Sequence, residues 1–208
     1  MGSAFAAIVL VGETILATTV ISGKFIVVPS NGNVVILPSS SMVLLKIQKM
    51  DRLETVSYNI QRVYKYDQNA NSPWYDVWKA FGDQRKLFVV PGKVIAGVDL
   101  TQISKGDVQV RAKTITITLP PSQIFDTNVD EQNIQVYDMS TGLATLSQGM
   151  DPNVYNQILA AAKVSLKNDA CNQGILRQAA DNARQQFTSF LTELGYTNVT
   201  VNAPAGTC

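Results

Sequence analysis

Between Ala4 and Ile21 the chain carries one charged side chain, Glu13, among nine strongly apolar ones: Phe5, Ile8, Val9, Leu10, Val11, Ile15, Leu16, Val20 and Ile21. A run of this length just spans the hydrocarbon core of a bilayer. Nine such residues contribute roughly −3 to −5 kcal/mol to insertion, whereas an acidic residue near the centre costs about 2.5 to 3.5. Gly12, Thr14, Thr18 and Thr19 move the balance further toward zero. The expectation is a single membrane-anchoring helix over residues 1–23 in which Glu13 bonds to a partner helix, an intramembrane carboxylate being costly enough to imply a role. Two other readings stay open. One is a buried strand or helix of a soluble core; the other is a signal or processing remnant, which fits less well because no basic residue precedes the run and no small-x-small site follows it. Only Lys24 lies near the far end, so the excess of positive charge that orients membrane helices gives no direction.

The rest of the chain has the size of one sizeable core, since domains run to about 100–200 residues. Of the full chain's 208 residues 16% are charged, against roughly 25% in an ordinary soluble protein, so the surface is polar but weakly charged. With 17 basic and 16 acidic side chains the net charge is +1, and the basic excess that nucleic-acid binding requires is missing. Histidine is absent. Ser-His-Asp and Cys-His nucleophiles, histidine-ligated zinc or haem and imidazole pH switching are therefore excluded. Charge is unevenly placed: residues 43–113 hold twelve bases and seven acids, residues 114–208 four bases and eight acids. These halves either cancel within one domain or meet head to tail between copies of the chain. Cys171 and Cys208 are read as unpaired, a buried thiol and a terminal one, with a disulfide in an oxidising compartment as the alternative, because two cysteines alone do not define a disulfide framework.

Past the anchor, Phe25–Val28 and Val34–Leu37 flank an Asn31-Gly32 turn, the strongest short hairpin signal, within a 24–41 hairpin or linker. Met42 to Leu53 reads as an apolar helix. From Glu54 the period falls to two, with Val56, Tyr58, Ile60, Tyr64 and Tyr66 on one face of a strand. After a loop at 69–73, Trp74, Tyr75, Val77, Trp78 and Phe81 form an aromatic cluster that is core or a ligand site. Leu87–Val90 and Val94–Leu100 read as two strands around Pro91-Gly92, and the change of apolar parity between Val108–Ala112 and Ile115–Leu119 predicts a bulge. Ile134 and Val136 mark a further strand. Asp151-Pro152 starts a helix, with helices expected over 152–170 and 174–194 and Gly195 closing the second. Residues 196–201 form a final strand and 202–208 a tail. The fold class is α+β: an N-terminal transmembrane helix, then over 42–201 a single domain with a mostly antiparallel sheet, two C-terminal helices packed on it and the final strand.

The runs Leu53-Glu54-Thr55-Val56-Ser57-Tyr58, Gly92-Lys93-Val94-Ile95-Ala96-Gly97-Val98-Asp99-Leu100 and Gly174-Ile175-Leu176-Arg177-Gln178-Ala179-Ala180 resemble, in order and spacing, the bacterial domain of unknown function 4230 family. Ile117-Thr118-Leu119-Pro120, Val136-Tyr137-Asp138 and Leu191-Thr192-Glu193-Leu194-Gly195-Tyr196 are similar too, and the resemblance covers about residues 41 to 201. It implies a membrane anchor followed by an α+β domain in the cell envelope. It carries no catalytic residue, metal or cofactor, and the basic residues usual before the anchor are missing here.

Gly92 and Gly97 lack the spacing of a phosphate loop, and within a strand glycine marks a bend or a close backbone approach. Asp99 is then a working carboxylate or the cap of a turn at Thr101-Gln102. Asp126, Asp130, Glu131 and Asp138 show no paired-carboxylate motif and no calcium-loop rhythm. The reading is a non-enzymatic, membrane-anchored domain that binds protein partners or itself, without cofactor, metal or nucleic acid. Its partner-binding candidates are Glu13, Trp74, Trp78 and Asp99. The alternatives are a small-molecule or lipid-binding domain, or a hydrolase working without histidine.

Overall fold

The computed structural model describes residues 25–30, 33–65, 70–81, 86–138, 142–145 and 152–208. The anchor segment with Glu13, and the Asn31-Gly32 dipeptide, lie outside the described residues. In chain order the strands are β1 (Phe25–Ser30), β2 (Asn33–Pro38), β3 (Arg52–Lys65), β4 (Lys86–Asp99), β5 (Val108–Arg111), β6 (Thr114–Thr118), β7 (Gln123–Val129), β8 (Gln135–Asp138), β9 (Gly142–Thr145) and β10 (Asn198–Asn202). The α-helices are α1 (Ser40–Gln48), α2 (Tyr75–Phe81), α3 (Pro152–Asn172) and α4 (Ile175–Glu193). The class is α+β with mostly antiparallel pairing and two long helices late in the chain. Among the described residues no helix is long and apolar enough to cross a membrane.

Two compact units account for these elements. One is drawn from the described residues within 1–53, 98–122 and 180–205, the other from those within 54–97, 123–179 and 206–208.

In the first unit β1 and β2 pair antiparallel with Ser30 opposite Asn33, the expected hairpin. Helix α1 follows, burying Val43 and Ile47 one turn apart. It ends at Gln48 rather than running to residue 53, because Asp51 turns the chain with φ 52 and β3 begins at Arg52. Leu100 N–H donates to the Asp51 carbonyl at 2.8 Å, which fixes that turn. The parity change between residues 108 and 119 is not a bulge. It is a hairpin of β5 and β6 with Arg111 opposite Thr114 and Ala112 at φ 51, so the two-residue turn resets which side chains face inward. β10 lies parallel to β6 on its other side, giving the order β10-β6-β5. Ile115 and Ile117 of β6 pack with Ala183, Phe187 and Leu191, which recur every four residues along α4. Gly195, at φ 98, stops that helix where expected. Tyr196 then turns inward, its hydroxyl donating to the Pro38 carbonyl.

The second unit is built on a five-stranded sheet with the order β3-β4-β8-β9, β7 also pairing with β4. Pro91-Gly92 does not divide two strands, and β4 runs through it unbroken. The reason lies in the register. Residues 86–89 pair with β8 and residues 92–97 with β7, so Pro91 falls between two ladders, where its missing N–H is not needed. Its carbonyl still accepts from Asp130 N–H at 3.0 Å. β7 and β9 extend the sheet beyond the strands read from sequence, and β7 carries a bulge at Phe125, between Ile95 and Ala96 of its partner. A Cβ on Gly92 would meet the Asn128 carbonyl oxygen at 2.7 Å and Leu166 Cδ1 at 2.4 Å, the close backbone approach that a strand glycine signals. Trp74, Trp78, Phe88, Val90, Val94 and Ile134 pack with Ile158, Ala162 and Leu166 of α3. Cys171 and Cys208 form a disulfide with Cα atoms 6.1 Å apart, correcting the expectation of unpaired thiols. Sequence spacing gave no reason to pair them, because the fold alone brings residues 206–208 back to the end of α3.

Candidate functional site

A group of polar and aromatic side chains lies in the second unit, where β3 meets α3. Arg62 and Tyr64 stand two residues apart on β3 and so share a face; Ser165 and Asp169 stand four apart on α3 and also share one. The Arg62 Nε lies 3.1 Å from Asp169 Oδ2, and the Tyr64 hydroxyl donates to the same oxygen at 3.4 Å. Trp74 donates its indole N–H to the buried Ser165 Oγ at 2.8 Å. Tyr64 stacks on Trp74 with ring centroids 4.5 Å apart, Trp74 on Phe88 at 5.5 Å, and Trp78 against Phe88 at 5.1 Å. Burial, and secondarily the negative charge of Asp169, push the Tyr64 hydroxyl up to about 12. It therefore stays protonated at neutral pH and acts as a hydrogen-bond donor. Asp169 takes one charged and one neutral partner, the satisfied state that a half-buried carboxylate requires.

A groove of about 530 Å³ opens over three strands of the same sheet. It is lined by Asn59, Ile60 and Gln61 of β3, Pro91, Gly92 and Lys93 of β4, and Asn128, Val129 and Asp130 from the end of β7. Its rim of carboxamides, one ammonium and one carboxylate offers donors and acceptors of both kinds.

Trp74 and Trp78, two of the four sequence candidates, come together with ring centroids 6.1 Å apart, but at 3% and 2% exposure they point into the core. Asp99 belongs to the other unit and caps a short 3₁₀ turn. It accepts from Thr101 N–H at 3.1 Å, Thr101 Oγ1 at 2.6 Å and Gln102 Nε2 at 2.8 Å. The Thr101 hydroxyl and then the Gln102 amide hold its carboxyl below the usual range. Of the two roles read from sequence, the cap is the one observed. Glu13 lies outside the described residues.

Three of the other carboxylates weighed from sequence are engaged locally, and the Asp138 side chain lies outside the described residues. Asp126 accepts from Thr127 N–H and Asn128 Nδ2, Asp130 from Asn133 Nδ2, and Glu131 from the Tyr155 hydroxyl, which that bond raises above its ordinary pKa. Among the described residues no three acidic or cysteine side chains are grouped to hold a metal ion. Sequence reasoning passed over Arg62, Ser165 and Asp169, and the carboxamides of Asn59, Gln61 and Asn128. The i, i+4 spacing of Ser165 and Asp169 was the one available signal for the first group.

A family profile described as "Protein of unknown function (DUF4230)" matches residues 45–201. The chain belongs to this family. The match takes in β3, β4 and both long helices, so the Arg62–Tyr64–Ser165–Asp169 group and the groove both lie inside the DUF4230 region. No curated protein and no solved structure matches the chain.

Proposed function

We propose that this DUF4230 protein is a non-enzymatic interaction or structural domain of the bacterial cell envelope, held on a membrane as a single-pass protein by residues 1–23. It serves as an accessory subunit or self-assembling scaffold of a membrane-associated complex, with protein partners or further copies of itself. The observation that carries this reading is how the reactive-looking side chains are used. Asp99, Asp126, Asp130, Glu131 and Asp169 are each committed to hydrogen bonds with neighbours that hold turns, strands or the β3–α3 packing. The apolar run from Ala4 to Ile21 supports the membrane attachment. The Cys171–Cys208 disulfide supports a domain on the oxidising side of that membrane, since such bonds persist outside the cytosol.

The test is mild detergent extraction from native membranes, followed by sizing and mass spectrometry of what co-purifies. An assembly well above the 22.6 kDa of one chain is expected, and a lone monomer would overturn the reading. Removing residues 1–23 should release the protein from the membrane fraction as a cooperatively folded domain. Aggregation without a cooperative melt would instead make that segment part of the core.

A second reading is favoured by the groove. Its carboxamides, Lys93 and Asp130 suit a small polar ligand, which would protect the Lys93 amine from acylation.

A further inference from the structure

Among the described residues β3 pairs with β4 along one edge, and no strand pairs with its other edge. It is fourteen residues long, well above the usual five or six, and its Val63 side chain is 59% exposed. A long outer edge is a row of backbone donors and acceptors ready to take another strand, and natural proteins either protect such edges or use them.

The sequence of β3 says what would fit. Folded about Tyr58 as a two-fold centre, an antiparallel pair of β3 strands sets Ser57 opposite Asn59, Val56 opposite Ile60 and Glu54 opposite Arg62. Polar meets polar, aliphatic meets aliphatic and acid meets base, each twice by symmetry. Tyr58 meets its own copy. Directly opposed residues of this kind are the stabilising unit of an antiparallel sheet, and like charges there destabilise it. Arg62 keeps half its surface exposed while bonded to Asp169, leaving its guanidinium open to a second carboxylate.

We propose that β3 is a self-association edge: two copies join antiparallel about Tyr58 and merge their five-stranded sheets into one. An isologous contact of this type closes at two copies and needs no other partner. The proposal rests on the self-assembly branch of the function proposed above and names the surface that serves it.

Opposed residues in such a pair have Cα atoms about 4.5–5.5 Å apart, within reach of a disulfide. In the full chain, extracted in mild detergent and treated with a mild oxidant, Tyr58→Cys should therefore give a cross-linked dimer. Val63→Cys should not, because residue 63 and its copy would lie ten positions apart, about 33 Å. The native cysteines are already paired and do not interfere. Because Tyr58→Cys removes a hydrogen bond to Gln178, an equal mixture of Ser57→Cys and Asn59→Cys chains provides a second route, both positions being exposed. Cross-linking should appear in the mixture and exceed that of either variant alone. Adding Glu54→Lys to Tyr58→Cys should lower the cross-linked fraction several-fold by setting two like-charged pairs face to face. Oligomers seen by sizing without cross-links at 57–59, or with Val63→Cys cross-linking as readily, would overturn the edge pairing while leaving self-assembly standing. A monomer by sizing with no cross-link overturns both.

Discussion

Replacing Cys208 with serine opens a loop in which the two cysteines stand 37 residues apart. In the chain-entropy treatment, a cross-link of that length removes about 13 cal/mol/K from the unfolded ensemble, or about 4 kcal/mol at 25 °C. Residual structure in the unfolded chain reduces this, so a loss of about 2–4 kcal/mol is expected. With a urea m-value of about 2 kcal/mol/M, the midpoint falls by roughly 1–2 M. The two tryptophans of the chain, Trp74 and Trp78, are buried in the unit that holds both cysteines, so their fluorescence reports the right transition. Cys171→Ser should produce the same shift, and the double variant no more than either single one, because all three lack the same bond. Dithiothreitol should lower the midpoint of the native chain to that of the variants and leave theirs unchanged. A midpoint that moves by less than about 0.2 M, or one that ignores the reductant, would refute the claim that this bond constrains the unfolded chain.

Gly92→Ala should destabilise by about 1–3 kcal/mol in urea melts, because the added methyl meets a backbone carbonyl that cannot rotate away; Gly106→Ala, whose nearest neighbour would be Ser104 Oγ at 3.7 Å, should be close to neutral. Tyr64 and Tyr196 are both raised to about 12 by burial, so the folded state holds their protons more tightly than the unfolded chain, where they leave near 10. Their contribution is complete below about pH 10 and is lost as pH rises toward 12. Phenolate absorbance should show these two tyrosines titrating after the exposed ones, and simultaneous titration of all seven would contradict the burial. Asp99→Ala should cost about 1 kcal/mol through loss of the Thr101 cap. If the same change also abolished assembly without affecting the melt, Asp99 would have a role beyond the turn.

Local signals in the sequence were reliable where one residue type has one physical use. Gly195 stops α4 with a positive φ, and the alternation from Val56 to Tyr64 marks β3. Proline 91 misled because its cost depends on which ladder needs its N–H, and that is set by β7 and β8, some 40 residues further on. The parity reset at Ala112 reads equally as bulge or hairpin until a partner strand is known. The Tyr64–Asp169 contact and the Cys171–Cys208 bond join positions 105 and 37 residues apart, so periodicity could not reveal either. Trp74 and Trp78 had a legible chemistry and an illegible direction. Their rings read as core or ligand site in one dimension and are core in three.

The parallel pairing of β10 with β6 has a consequence for the order in which the chain can fold. β6 ends at Thr118 and β10 begins at Asn198, and the second unit's longest stretch, Gln123 to Ala179, lies between them. During synthesis the β5–β6 hairpin can close on itself, but one edge of β6 waits until the ribosome has released residues 198–202. Pairings across such a long interval form late, because the closure entropy precedes the reward. Neither unit is one continuous stretch of sequence, so no single cut yields either one whole. An expression fragment ending before Asn198 leaves the first sheet with an open edge at Ile115 and Ile117, its most deeply buried residues.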